Sequence, residues 1–484
     1  MDTLPTELLA QIFKCGASEG CHLLIPYKAV NRCWRTAALE YPDLWTSVYP
    51  FCSINNNDAV SWTSFCLERS KSCLFDVVLH LPSPPNMALV SKIMLLIAQH
   101  IQRLRSLSVF AVDQTNAGEV FALLENAQRA PRLSNLELVC DDTRSISMTA
   151  PHDGILISTP ALSSLRLHGV RSPVPFVGLR SLDLKGLRTS YADFEAMATA
   201  SPLLVQLVLP NIRLLVDPQT STFPPIQMPS LKALALSFAH PPPSNQFNPC
   251  HSLLSFLRLP NVEYLELVGS IIPDLAATFH ASCFSNLRTL RLVGLTIVSR
   301  DPAIQNASYL RSLGTIEELH LIHSYAEYLL PLEQQADRSP KARLSRTRSI
   351  NFRDEPKAHH RIIHPLNKMI PASRASLPLD NIEAVYPKLR CVCLDTLLAK
   401  DAVWLYTFVT ERPNIRLVRL SQNINRHFSD SLGLSDGGAL QTLPWRNLDR
   451  SDHQPVDAGK MLRERVQVEE LKAEGLIPWR GPTP

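Results

Sequence analysis

One histidine pair and one cysteine pair have spacings that resemble those of metal ligands in proteins. His360 and His364, beside His359, are four positions apart, which would place two imidazoles on one face of a helix. The sequence fixes no cysteine or carboxylate nearby as a third ligand. Cys391 and Cys393 would lie on one face of a strand, too close in sequence for an easy disulfide. We therefore predict no metal ion and no cofactor, and structural or surface roles for these side chains.

The sequence offers little evidence of a catalytic motif. It contains neither a glycine-rich phosphate loop nor an H-E-x-x-H zinc motif. The acidic pair Asp141–Asp142 falls in a turn after a strand, where exposed carboxylates are ordinary. We predict a protein without catalytic residues, and an enzyme with its site in the loops remains an alternative.

Charge and composition limit the classes of partner. The chain of 484 residues carries 48 basic and 44 acidic side chains. The resulting net charge of +4 is too small to attract nucleic acid to the protein as a whole. The longest strongly apolar run, 93–98, is far shorter than the roughly 20 residues that span a bilayer. Eleven cysteines occur without any C-x-x-C pair. We expect no nucleic-acid partner, no membrane association and a cytoplasmic or nuclear location.

Leucine is the residue that dominates the sequence, with 75 copies, and it recurs in a repeat. The motif L-x-x-L-x-L, or a close variant, begins at Leu104, Leu133, Leu162, Leu179, Leu204, Leu231, Val262, Leu287, Ile316, Leu389 and Ile415. Apart from one short step and one long gap after Ile316, the copies are about 25 to 31 residues apart, close to the length of leucine-rich repeats. Seven copies have proline two places before the first anchor, which can end a helix and start a turn.

Strand geometry explains the motif. Alternate side chains of a strand point to opposite faces, so Leu136 and Leu138 would face the core while Asn135 and Glu137 face outward. One unit cannot bury its leucines alone, but stacked units align their strands into a parallel sheet. Apolar segments such as 90–101 and 192–200 would supply helices on the other side of that sheet.

The sequence resembles the leucine-rich repeat family over roughly residues 74–425. The resemblance implies an α/β fold: a curved, irregular solenoid with a parallel sheet and helices on its convex side. A flat sandwich is the alternative, and the helical segments between strands argue against it.

The first fifty residues have a different pattern. Apolar side chains recur at helical spacing from Leu4 to Phe13, and a second helix is expected over 26–40. The order Leu4-Pro5-x-x-Leu8-Leu9-x-x-Ile12-Phe13, then a Trp34-Arg35 pair, then Pro42-Asp43-Leu44-Trp45, resembles the F-box family. We accordingly divide the chain into an F-box (1–50), a linker helix region (51–73), the solenoid (74–425) and a C-terminal cap and tail (426–484).

The F-box resemblance implies docking onto a Skp-type adaptor and, through it, onto the cullin scaffold of a ubiquitin ligase. Fifty residues are too few for a robust core of their own, and an apolar helix face would need a partner. The candidates for adaptor contact, or for the small shared core, are Leu4, Pro5, Leu8, Leu9, Ile12, Phe13 and Trp34.

The outward positions of the repeat strands form the candidate surface for a protein substrate. If the strands are in register, this stripe contains Glu137, Arg166, Asp183, Val208, Ala235, Glu266, Arg291, His320, Cys393 and Arg419. Mixed charge suits a polypeptide better than a polyphosphate, and we expect the ligand near Glu266, Arg291 and His320. A solvated sheet face without a ligand would show the same mixture.

A basic insert occupies the long gap in the repeats, at about 338–380. Between Arg338 and Arg374 ten Lys or Arg residues accompany only two acidic ones. We expect a solvated loop, with phosphorylation or nuclear import as alternatives. Taken together, these patterns predict a non-catalytic substrate receptor of an SCF-type cullin-RING ubiquitin ligase, and an F-box scaffold without a role in degradation is the alternative.

Overall fold

The computed structural model describes sixteen segments of the chain. These segments are 4–17, 24–50, 56–81, 86–111, 130–140, 159–169, 177–185, 188–215, 223–238, 253–269, 284–294, 313–324, 386–395, 401–410, 412–421 and 458–471. The basic insert, the His359–His364 cluster and the Asp141–Asp142 pair lie outside them, as do residues 426–457 and 472–484 of the expected cap and tail.

The chain divides into two compact units, residues 1–296 with 473–484, and residues 297–472. The helices of the described segments are α1 Thr6–Ala17, α2 Leu24–Val30, α3 Arg32–Glu40, α4 Asn56–Arg69, α5 Met87–Gln99, α6 Tyr191–Ala200, α7 Leu253–Phe256, α8 Asp401–Thr410 and α9 Ala458–Arg465. None of these helices combines the length and the apolar composition that crossing a membrane requires.

Strands alternate with the helices and turns in both units. They are β1 Ser47–Val48, β2 Phe75–His80, β3 Leu104–Ala111, β4 Asn135–Cys140, β5 Ser164–His168, β6 Ser181–Lys185, β7 Arg188–Ser190, β8 Gln206–Leu215, β9 Ile226–Gln227, β10 Ala233–Phe238, β11 Leu257–Arg258, β12 Tyr264–Val268, β13 Thr289–Val293, β14 Glu318–Ile322, β15 Cys391–Leu394, β16 Leu417–Ser421 and β17 Gln467–Leu471.

Parallel pairing joins the strands of each unit into a sheet. In the first unit the order is β1-β2-β3-β4-β5-β6-β8-β10-β12-β13, and in the second it is β14-β15-β16-β17. Each strand therefore pairs with the strand of the adjacent repeat, as a stack of repeats requires. The α/β class and the parallel sheet predicted from the sequence are confirmed.

The leucines of the motif form the core of the sheet. In the β4 repeat, Leu133 precedes the strand and Leu136 and Leu138 lie within it, and all three are buried. The intervening Asn135 and Glu137 are only partly buried. Leu136 pairs with Leu165 on β5, so identical motif positions lie side by side. The helices α5 and α6 occupy the two segments expected to be helical.

Two strands lie outside the eleven motif copies and beyond the solenoid boundaries expected from the sequence. β1 lies within the first fifty residues and pairs with β2 through Ser47 and Asp76. β17 lies in the segment expected as cap and tail and pairs with β16 through Arg419 and Glu469. Neither strand carries the L-x-x-L-x-L pattern, so the repeat search did not detect them.

The single helix expected over 26–40 is two helices, α2 and α3. Asn31 lies between them in an extended conformation (φ −157°, ψ −179°), and its side-chain oxygen accepts a hydrogen bond from the Trp34 backbone N–H at 2.8 Å. Asparagine at this position caps the following helix and ends the preceding one.

Replacing the Asn31 cap should weaken the N-terminal helices measurably. We expect Asn31→Ala to lower the free energy of unfolding by about 1 kcal/mol, because the N–H of Trp34 loses its acceptor. Urea unfolding followed by circular dichroism measures this change. Asn86→Ala, which removes the cap of α5, is the matched comparison, and an Asn31→Ala protein as stable as the unaltered chain would contradict the assignment of the cap.

Candidate interaction sites

Helix α1 separates the N-terminal candidate residues into two groups. Leu9 and Phe13 are buried, at 1% and 0% exposure, whereas Leu8 and Ile12 are 46% and 54% exposed. Leu4 is also exposed, one turn before Leu8. Leu8 and Ile12 are four positions apart and share one face of α1, and together with Leu4, which lies just before the helix, they are here called the α1 stripe. The structure thus separates exposed apolar side chains from core side chains, a distinction that the sequence left open.

Aromatic packing holds the helices that carry the α1 stripe. The Phe13 ring stacks on Tyr27 of α2 at 4.9 Å between centroids and meets Trp34 of α3 at 5.1 Å. Trp34 is therefore part of the contact between α1, α2 and α3, and it is only partly buried. Gly16 allows the close approach of α2, because a Cβ there would lie 2.6 Å from the Tyr27 hydroxyl.

Further apolar side chains on the same helices are exposed. Pro5 precedes α1 and is exposed, and Ile25 and Val30 on α2 are 45% and 58% exposed. Neither residue entered the candidate set: Ile25 precedes the helix expected over 26–40, and Val30 lies within it. The apolar surface of the N-terminal helices is larger than α1 alone provides.

The N-terminal helices are attached to the sheet through Trp45. Its indole N–H donates to the carbonyl oxygen of Ala38 at 2.8 Å, and its ring contacts Trp62 and Phe65 of α4. Trp45 itself is fully buried. Because β1 follows directly and pairs with β2, the α1–α3 helices and the sheet share one core in the first unit.

The outward stripe has the register that the sequence predicts. In the first unit, Glu137 pairs with Arg166 and Arg166 with Asp183 on successive strands. The same row continues through Val208 and Ala235. Ala235 then pairs with Glu266, and Glu266 with Arg291. In the second unit, His320 pairs with Cys393 and Cys393 with Arg419.

Ion pairs neutralise the first group of charges in this stripe. Arg166 contacts Glu137 at 2.7 Å through Nη1 and Asp183 at 3.1 Å through Nε. His168 Nε2 lies 2.8 Å from the other Asp183 oxygen, and Ser108 donates to Glu137 at 3.1 Å. Glu137 and Arg166 keep about a quarter of their side chains exposed, whereas Asp183 is buried. Glu137 and Arg166 are thus the accessible members.

Glu266 and Arg291 are buried, which changes the role expected for them. Glu266 is fully buried and Arg291 is 7% exposed, with Arg291 Nε 3.5 Å from Glu266 Oε1. The Tyr264 hydroxyl donates to Glu266 at 2.7 Å, and burial raises the pKa of this tyrosine. The two charged side chains are therefore buried in the protein. They do not offer the solvent-accessible contact for a polypeptide that the sequence suggested.

The second unit brings two thiols together. The Sγ atoms of Cys391 and Cys393 lie 3.8 Å apart, and both residues are buried. Their hydrogen bond lowers the pKa of Cys391 and raises that of Cys393. Arg419, on the next strand, contacts Glu469 at 3.1 Å and remains partly exposed. In the described residues, no group of three or more His, Cys, Asp or Glu side chains is arranged to hold a metal ion.

Glu318 provides a pH-sensitive contact in this unit. The hydrogen bond from His320 Nε2, at 3.4 Å, lowers the pKa of Glu318 below its ordinary 4.5. A depressed folded-state pKa contributes stability above the unfolded value, and this contribution is lost as the pH falls through the folded value. We expect acid unfolding below about pH 5 to be less steep for Glu318→Gln than for the unaltered chain, as measured by melting temperature against pH. Identical pH profiles would contradict this contact.

One catalytic pattern in the sequence was missed. Residues 16–20, Gly-Ala-Ser-Glu-Gly, match G-x-S-x-G, the pattern of a nucleophile that lies between a strand and a helix. Here it begins at the last two residues of helix α1 and does not follow a strand, and Ser18 lies outside the described residues. The element before it is therefore not the one that this mechanism uses.

A comparison with protein-family models and with curated proteins found no match for this chain.

Proposed function

We propose that this protein is a substrate-recognition subunit of an SCF-type cullin-RING ubiquitin ligase, without catalytic residues of its own. The observation that carries the proposal is the α1 stripe: Leu8 and Ile12 are exposed on α1 and Leu4 is exposed just before it, whereas the neighbouring Leu9 and Phe13 are buried. Its sequence context resembles the F-box. In this proposal the α1 stripe docks a Skp-type adaptor, and the cullin joins through that adaptor.

The attachment of α1–α3 to the sheet supports this function. A receptor must hold its substrate at a fixed position relative to the ligase, because proximity is its contribution to catalysis. Trp45 packs the helices against α4, and β1 extends the sheet directly from them. A stiff connection of this kind transmits position better than a flexible linker.

The repeats are proposed to bind the substrate. The parallel sheet supports a leucine-rich-repeat solenoid, and we propose that it is curved, with its outward stripe on the concave side. Glu137 and Arg166 in the first unit, and Arg419 with Glu469 in the second, are the partly exposed charges of that stripe. They replace Glu266 and Arg291 as the proposed contacts. We further propose a cytoplasmic or nuclear location, where such ligases act.

Affinity purification tests this function. The full chain should co-purify a Skp-type adaptor and a cullin, and the assembly should transfer ubiquitin to a protein captured by the repeats. Co-purification without ubiquitin transfer would favour the alternative, an F-box scaffold with no role in degradation. Absence of the adaptor from the purified material would contradict both.

A further inference from the structure

A groove of about 590 Å³ follows the amino-terminal edge of the sheet in the first unit. Its lining includes Arg180, Val205, Lys232, Glu263 and Arg288, the residues just before or at the start of β6, β8, β10, β12 and β13. Each backbone N–H in this row donates to the carbonyl of the preceding member, at 2.8 to 2.9 Å. The five residues therefore occupy five consecutive rungs of the sheet, and we call this feature the edge groove.

Cations occur on every second rung of the edge groove. They are Arg180, Lys232 and Arg288, on the first, third and fifth rungs. Adjacent strands are about 4.8 Å apart, so successive cations are separated by about 9.6 Å. Lys232 contacts Glu263 at 3.5 Å in an exposed ion pair, which contributes little stability. Within the described part of the chain, neither Arg180 nor Arg288 has a carboxylate at ion-pair distance.

Apolar side chains distinguish the edge groove from a site for a polyphosphate. Leu203 and Val205 both line it and are 57% and 37% exposed. Glu263 lies between two of the cations and would repel a continuous line of phosphates. A ligand that matches this lining needs separate negative charges and an aliphatic group, which a peptide provides.

We propose that the edge groove binds an acidic peptide segment of a protein partner, held in an extended polyproline II conformation. That conformation has three residues per turn and a rise of about 3.1 Å, which gives a repeat of about 9.3 Å on one face. The cation spacing is nearly the same, so acidic side chains at every third position would each meet one cation. An aliphatic residue beside the first acidic one would contact Leu203 and Val205.

The edge groove is a different surface from the outward stripe of the sheet. Its role as a second contact for a substrate rests on the proposed receptor function, but the binding itself requires neither an adaptor nor a cullin. Peptide binding and adaptor binding can therefore be lost independently of each other, and both are measured on the same proteins.

Fluorescence anisotropy of a labelled peptide tests the proposal. The probe is a nine-residue peptide with three Glu-Pro-Leu repeats, and the control peptide has the same composition with its three glutamates adjacent. We expect the full chain to bind the repeat peptide at least about fivefold more tightly than the control, because only the repeat aligns all three charges. Equal affinity for both peptides, or no binding of the repeat, would overturn the proposal.

Charge reversal locates the binding. Arg180→Glu and Arg288→Glu should each weaken binding of the repeat peptide by roughly fivefold to tenfold, because attraction becomes repulsion. Arg132→Glu, at an exposed arginine of another repeat turn, is the matched control and should leave the affinity unchanged. If neither Arg180→Glu nor Arg288→Glu changed the affinity for the repeat peptide, the assignment would be overturned. It would also be overturned if a single-stranded oligonucleotide competed with the peptide equally strongly, because this result would indicate a polyanion site.

Adaptor capture is measured on the same proteins. Arg180→Glu and Arg288→Glu should capture the adaptor as the unaltered chain does, since α1 lies elsewhere. Peptide binding by a chain that captures no adaptor would remove the proposed receptor function and keep the edge groove. Adaptor capture without peptide binding would remove the edge groove as a peptide site and keep the proposed receptor function.

Discussion

Replacing Leu8 and Ile12 together with glutamate is expected to abolish capture of a Skp-type adaptor while the chain remains folded. Both side chains are about half exposed on α1, so the charges cost little in the free protein. In a complex, each glutamate would bury a charge where an apolar anchor was needed. Central anchors of this kind contribute about 2 kcal/mol or more, so the affinity should fall by at least about a hundredfold. Biolayer interferometry with purified adaptor measures the change.

Two further variants make this result interpretable. Leu95→Glu adds a charge at a leucine of α5 that is 58% exposed and lies outside the α1 stripe, and it should bind the adaptor normally. Leu9→Glu places a charge in the core and should lower the melting temperature. Undiminished binding by the Leu8→Glu and Ile12→Glu double variant, with an unchanged circular dichroism spectrum, would show that the α1 stripe is not the docking surface.

The second large effect concerns the buried pair on β12 and β13. Glu266→Leu should lower the free energy of unfolding by about 3–5 kcal/mol, because the buried Arg291 would lose the carboxylate that lies 3.5 Å from its Nε. Replacing both Glu266 and Arg291 with leucine should recover much of this loss, since no buried charge then remains. Urea unfolding of the three proteins measures the difference.

Glu263→Leu is the matched control for the buried pair. Glu263 precedes the same strand but forms an exposed ion pair with Lys232, so its loss should cost less than about 1 kcal/mol. If Glu266→Leu were as mild as Glu263→Leu, the buried Glu266–Arg291 pair would contribute no more to stability than an exposed ion pair does.

The sheet could be predicted in detail because its register depends on a local rule. Side chains alternate with a period of two, so the motif alone determines which residues face the core and which of them lie side by side. Glu137, Arg166 and Asp183 accordingly pair as expected. The break at Asn31 was not predicted, although asparagine is favoured at helix caps and unfavourable in helix interiors, so this residue was a signal that could have revealed it.

Accessibility could not be predicted by the same rule. Alternation places Glu266 and Glu137 on the same face, but only the packing of the complete chain determines that Glu266 is fully buried while Glu137 stays partly exposed. The same holds for α1, where Leu8 and Leu9 are adjacent leucines in the sequence and differ only in the face they present. The edge groove was missed because its residues are 25 to 31 positions apart and meet only when the repeats stack.

Hydrogen exchange of the full chain, with and without a purified Skp-type adaptor, is the most direct test of the central claim. We predict that the adaptor slows exchange across α1, at Leu8 and Ile12 above all, and leaves β14–β17 unchanged. Exchange that is identical with and without saturating adaptor, or protection confined to the repeat strands, would contradict it.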